Sequence, residues 1–143
     1  MKEIQKRREE TQNRPVLLLI DDSPDFRSLC KEIFNFNNYD VITAADGFDG
    51  IEYAVRCQKI RGILLDIMMP GLSGWEVANI LADISETKHI PILLITGVRT
   101  NNLAERITTE HRNVDYLHKP FGVEDLLSKV DNLINLPSPK STQ

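Results

Sequence analysis

Cysteine is scarce: Cys30 and Cys57 are the only two, and neither lies in a CxxC pair or beside a histidine cluster. That argues against a disulfide-stapled secreted domain or a cysteine-based metal site, and leaves two small hydrophobes suited to buried helix faces. Long apolar runs are missing too, since no stretch approaches the roughly 20 residues of a membrane span. The first fourteen residues, MKEIQKRREETQNR, lack the apolar centre of a secretory signal. These absences predict a cytoplasmic protein that does not enter a membrane. Charge of one sign is also in short supply. Seventeen basic against 21 acidic residues leave a formal charge of -4, without the basic footprint that direct nucleic-acid binding requires.

What is present is enough for one core. A chain of 143 residues with 41% hydrophobic content is one globular domain's worth. Apolar runs at Val16–Ile20, Ile63–Leu65, Ile90–Ile95 and Val114–Leu117 lack the alternation of a half-exposed strand. They predict parallel strands covered on both faces, with a shorter strand at Asp40–Thr43. Helical spacing fills the intervals: Phe26, Leu29, Cys30, Ile33 and Phe34; Ile51, Ala54 and Val55; Val77, Ile80, Leu81 and Ile84; Leu126, Leu127, Val130, Leu133 and Ile134. A further helix is expected near Asn101–Thr109, although β-branched residues and few apolar anchors weaken its pattern.

The helix starts are punctuated. Ser23-Pro24 reads as an N-cap with proline at the first helical position, and Ser73 with Glu76 has capping-box spacing. Asp46 suits a cap, and Glu124 and Asp125 suit the positive end of the last helix. Strands alternating with helices imply right-handed βαβ crossovers. Five such units in about 120 residues predict an α/β fold, a (βα)5 doubly wound parallel sheet of flavodoxin-like strand order 2-1-3-4-5. The domain is expected to span 15–136. Residues 1–14 then form an extension, helical or disordered, with a solvated charged face, and 137–143 a disordered tail or the start of a linker.

In open sheets of this kind function gathers at the carboxyl ends of the strands. The first strand ends at Asp21-Asp22 and the third at Asp66, which brings three carboxylates to one crevice. Their repulsion needs a cation, and magnesium suits hard oxygen ligands. The fourth strand ends at Thr96 and the fifth leads into Lys119. Each of these residues alone has an ordinary explanation: a turn-forming aspartate, a β-branched threonine, a solvated lysine. Together they fit a phosphoryl group whose charge the metal and Lys119 neutralise and to which Thr96 donates a hydrogen bond.

The pieces LLLIDDSP, ILLDIMMPGLSGWE, PILLITG and DYLHKPF stand in order, one per strand end. With them the chain resembles the receiver domain of two-component response regulators, of the single-domain, chemotaxis-regulator type. The resemblance implies that Asp66 is the phosphoacceptor and forms an acyl phosphate by nucleophilic attack. It implies that Asp22, Asp66 and, less directly, Asp21 hold Mg2+ together with the backbone carbonyl of Met68. It further implies that Lys119 pairs with the phosphate, that the Lys119–Pro120 bond is cis, and that Thr96 and Tyr116 act as a switch. The implied donor is a phosphohistidine on a histidine kinase or histidine phosphotransfer protein. The implied output is a downstream protein target or onward relay, and a phosphorylation-dependent dimer is compatible with it. Such a domain is a signalling module, not an enzyme, which assists its own phosphorylation.

Apolar Met68 and Val98 occupy positions where other members orient an attacking water, so slow dephosphorylation is expected. Gly62 stands where a polar residue is common, with little consequence expected. An aspartate-nucleophile phosphohydrolase would need a second acid where Met68 stands, and a flavodoxin would place a phosphate loop where Asp21-Asp22 would repel it. A binding module that keeps only the fold would have no need of the whole constellation.

Overall fold

The computed structural model describes residues 1–97 and 113–135, side chains of 9–12 excepted. In chain order the elements are α1 (Lys2–Gln12), β1 (Val16–Ile20), α2 (Pro24–Phe36), β2 (Asp40–Ala44), α3 (Gly47–Arg56), β3 (Ile60–Asp66), α4 (Gly74–Asp83), β4 (Ile92–Thr96), β5 (Val114–His118) and α5 (Val123–Ile134). All four strand pairings are parallel, in the order β2-β1-β3-β4-β5. The order predicted from the sequence is therefore the order found. The helix expected near Asn101–Thr109 lies outside the described residues.

Unbroken apolar runs form β1, β4 and the C-terminal part of β3 because both faces of the sheet are covered there. Leu17 and Leu19 face α2 and α5, packing with Cys30, Phe34, Leu126, Val130 and Leu133. Leu18 and Ile20 face the other way, toward Ala54 of α3 and Val77 and Leu81 of α4. Cys30 is fully buried in the first of these layers, and burial pushes its thiol up to about 12, so it serves as packing.

Strand bounds differ from the expectation in informative places. β3 begins at Ile60, three residues earlier than its apolar run suggests, because exposed Arg61, skipped where the register with β1 shifts, and bare Gly62, which pairs with Leu17, add nothing to the hydrophobic signal. Gly62 also matters more than expected. A Cβ there would lie 3.1 Å from Ile134 Cγ2 and 3.4 Å from Leu17 Cδ2, so its bareness lets α5 approach the sheet. β4 starts at Ile92, because Pro91 has no N–H for the ladder; its carbonyl accepts from Ile63 N–H at 2.9 Å. The extension is helical, α1, and residues 1–8 are exposed on every side.

The caps hold as read. Ser23 Oγ accepts from Phe26 N–H at 3.2 Å, Asp46 Oδ1 from Asp49 N–H at 2.9 Å and Ser73 Oγ from Glu76 N–H at 3.3 Å. The far end of α4 has a cap that the sequence did not signal. Thr87 is buried, and its hydroxyl donates to Leu81 O at 2.7 Å. Thr87→Val keeps the shape and removes that donor. It is expected to lower unfolding free energy by about 1–2 kcal/mol in chemical denaturation, and an unchanged midpoint would show the cap to be idle.

Candidate functional site

The parallel register sets the strand ends side by side. Ile20 pairs with Leu65 and Asp66 with Ile95, so the residues following β1, β3 and β4 share one rim. Asp21, Asp22 and Asp66 each present a carboxylate oxygen, and these oxygens lie within 4.8 Å of one another. Asp21 is 1% exposed and Asp66 7%, whereas Asp22 is open to solvent. Lys119 Nζ lies 3.8 Å from Asp21 Oδ2 and 4.2 Å from the centre of the Phe26 ring. The Lys119 backbone N–H donates to Thr96 O at 2.8 Å, and the Lys119–Pro120 bond is cis, as the resemblance implies.

Each carboxylate is oriented by the turn that follows it. Asp21 Oδ1 accepts from Ser23 N–H at 2.8 Å, and Asp66 Oδ1 from Met68 N–H at 3.0 Å. Arg27 Nη1 donates to the Asp21 backbone carbonyl at 2.8 Å and steadies the same turn. Asp21 Oδ2, buried, makes no hydrogen bond among the described residues. A buried carboxylate oxygen without a donor is costly, and it is the feature that a cation would relieve.

Electrostatics point the same way. Burial raises the Asp21 carboxyl above its ordinary 3.8; the Ser23 N–H and Lys119 oppose the shift and Asp22 adds to it. Burial likewise raises Asp66; the Met68 N–H opposes this, Asp21 adds to it, and Lys119 lowers it. Two unit charges 4.8 Å apart repel by about 3 kcal/mol at an effective dielectric near 20. Three carboxylates outnumber the Lys119 ammonium and the Arg27 guanidinium beside them, an excess of negative charge that a cation would relieve. The donor set is all oxygen, which suits a hard ion such as magnesium.

A pH dependence follows. A carboxyl whose pKa is raised by folding binds its proton more tightly in the native state, so these two acids favour the fold at low pH. Their contribution is lost as pH rises from the unfolded value near 3.8 through the raised native values. The metal-free protein is therefore expected to lose stability over that window, and Asp21→Asn to flatten the loss. Parallel urea midpoints for the two proteins would overturn this reading.

Of the residues singled out from the sequence, Asp21, Asp22, Asp66 and Lys119 converge. Thr96, fully buried, ends β4 beside them and pairs in register with His118. Met68 is 59% exposed at the rim, and Val98 lies outside the described residues. Tyr116 is half-buried on β5, with its ring edge-on to His118 at 5.3 Å. Sequence reasoning missed Arg27 and the Phe26 ring. Only their place in the first turn of α2, just after Asp21-Asp22, could have drawn attention to them.

Comparison with known proteins agrees with this geometry. Residues 17–131 match the response regulator receiver domain. The chain is 35% identical over 140 residues to hybrid signal transduction histidine kinase D of Dictyostelium discoideum, covering 97% of this chain and 9% of that protein. It is 35% identical over 121 residues to the DNA-binding dual master transcriptional regulator RpaA of Synechocystis, covering 84% and 49%. The chain thus spans about half or less of the length of these relatives. Among solved structures, the chemotaxis protein CheY4 of Vibrio cholerae superposes with a TM-score of 0.75 at 28% identity, covering 82% of this chain and 97% of that one. The chain belongs to the response regulator receiver domains, the phosphoacceptor signalling modules of two-component systems. No helix among the described residues is long and apolar enough to cross a membrane.

Proposed function

We propose that Asp66 is the residue that accepts the phosphoryl group, with Mg2+ held by Asp21, Asp22, Asp66 and the Met68 backbone carbonyl. The observation that carries this reading is the convergence of three carboxylates of which a buried oxygen, Asp21 Oδ2, has no hydrogen-bond donor among the described residues. The receiver domain of PA1611, 24% identical, was solved with magnesium coordinated in its active-site cleft. When bound, the ion supplies positive charge to the phosphoryl oxygens. The protein's own groups do the rest. Asp66, aimed by the Met68 N–H, attacks phosphorus; the new O–P bond forms as the P–N bond to the donor histidine breaks, and the imidazole leaves with the electron pair. Lys119 neutralises a phosphoryl oxygen and Thr96 donates a hydrogen bond to another.

The donor is a histidine kinase or histidine phosphotransfer protein, and the output is a protein–protein contact remade when Thr96 and Tyr116 rearrange. A phosphorylation-dependent dimer is one form such a contact takes. Neither a membrane nor nucleic acid is a direct partner of this segment, and it works in the cytoplasm as the receiver unit 15–136, with 1–14 and 137–143 as extensions. Met68 and Val98 are apolar where a side chain would orient an attacking water, so the phosphorylated form is long-lived.

Incubation with acetyl phosphate and magnesium, read by intact mass spectrometry, tests the reading. One phosphoryl adduct is expected with magnesium and none with EDTA. An unchanged mass under both conditions, or equal adducts in both, would overturn it.

A further inference from the structure

We propose that Phe26 is a positioning residue for phosphoryl uptake: its ring face seats the Lys119 ammonium until a phosphoryl group takes it over. The proposal rests on the reading of Lys119 given above. A lysine side chain has four rotatable bonds and a compact, strongly hydrated charge, so it does not stay in place unless something holds it. Its contact with Asp21 Oδ2, at 3.8 Å, is too long for a hydrogen bond. Phe26 provides what that ion pair does not. Nζ lies 4.2 Å from the ring centre, well inside the roughly 6 Å over which a cation is drawn to the negative face of an aromatic ring.

The ring is itself fixed at both ends. Its backbone N–H is tied to the Ser23 cap at 3.2 Å, which sets where the first turn of α2 presents it. Phe121, two residues after Lys119, packs against it with ring centres 6.3 Å apart at 77°. Phe26 therefore touches the segment that carries Lys119 twice, once through Phe121 and once through the ammonium. Ring, carboxylate and lysine form a holding point near Asp66, from which Lys119 passes to the phosphoryl oxygens. An ammonium held close to its target spends less freedom when the phosphoryl group arrives, which raises the rate of uptake.

The experiment uses the full chain, with acetyl phosphate and magnesium as probes. Phe26→Leu keeps an apolar side chain on the helix and removes the ring face, while Phe26→Tyr keeps the ring. Initial adduct formation is expected to slow about fivefold in Phe26→Leu and to stay near wild type in Phe26→Tyr, with magnesium affinity by calorimetry unchanged in both. In a Lys119→Gln background, Phe26→Leu is expected to add nothing, because the ring acts through the ammonium. A wild-type rate in Phe26→Leu, or the same fivefold loss in the Lys119→Gln background, overturns the proposal. A second readout is independent of phosphorylation: the ring current over Phe26 is expected to shift the Lys119 ε-methylene protons upfield in wild type and Phe26→Tyr, and not in Phe26→Leu. Ordinary shifts in the wild type would remove the seat itself. A Lys119→Gln variant at the wild-type rate, with the upfield proton shift present in the wild type, would instead defeat the role given to Lys119.

Discussion

Asp66→Asn is expected to abolish the magnesium-dependent adduct completely while leaving the fold at least as stable as the wild type. Both halves come from the same position. Asp66 is nearly buried at the end of β3, and the carboxylate nucleophile cannot be replaced by an amide, whose oxygen is a far weaker nucleophile. The fold does not need the charge. Burial already disfavours it, Asp21 and Asp22 repel it, and the Met68 N–H can donate to an amide oxygen as it does to the carboxylate. Removing one of three crowded charges should raise the unfolding free energy of the metal-free protein by about 1 kcal/mol. The two effects separate in one pair of measurements, intact mass after acetyl phosphate treatment and a urea melt with EDTA present. A variant that still gains the full adduct moves the acceptor elsewhere. A variant that melts earlier means the carboxylate is a structural partner and not a charge held in reserve.

Magnesium should invert the stability comparison. Any ligand that binds only the native state adds stability in proportion to the logarithm of its concentration over its dissociation constant. Wild type should gain from added magnesium, and Asp66→Asn should gain less because one of three carboxylates has become neutral.

How much of this could be read beforehand depends on what kind of signal carried it. The strands were legible because two-sided burial makes them runs of Leu, Ile and Val, and their ends were legible because each run stops at a polar residue. Asp21, Asp22, Asp66, Thr96 and Lys119 are all such stops. The N-terminal part of β3 was not legible, since Arg61 sits at a register shift and Gly62 pairs with Leu17 without adding to the hydrophobic pattern. Partners across the fold were not legible either. Tyr39 donates its hydroxyl to Asp131 from 92 positions away, and Phe26 meets Lys119 from opposite ends of the domain. Periodicity reports that a residue is buried, not which residue it touches. The α1 segment, with both charge signs and little apolar content, fits helix and disorder alike; as a helix its residues 2–8 are solvent-exposed, so there is no core pattern to read.

Gly74 is the clearest case of a contact invisible in the sequence, and its substitution should be among the most damaging in the chain. It opens α4 directly after the Ser73 cap, and its N–H donates to Ile67 O at 3.0 Å. A Cβ at this position would sit 2.3 Å from Asp66 O, 2.9 Å from Asp66 C and 2.7 Å from Ile67 Cα. All three are backbone atoms, so no rotamer change relieves the overlap; either α4 backs away or the Asp66 backbone moves. Gly74→Ala is expected to cost about 3 kcal/mol or more of unfolding free energy and to reduce phosphoryl uptake by a larger factor than the loss of folded protein explains. Gly71 provides the control. It has φ +79 but open space around it, so Gly71→Ala meets only the left-handed backbone penalty of about 1 kcal/mol. Gly97, with nothing among the described residues within 4 Å of its absent Cβ, should tolerate alanine with little change. The expected order of denaturation midpoints is thus Gly97→Ala, then Gly71→Ala, then Gly74→Ala, highest to lowest. If Gly74→Ala melted with Gly71→Ala and took up phosphate at the wild-type rate, the close seating of α4 on the Asp66 backbone would not be what holds that carboxylate in place.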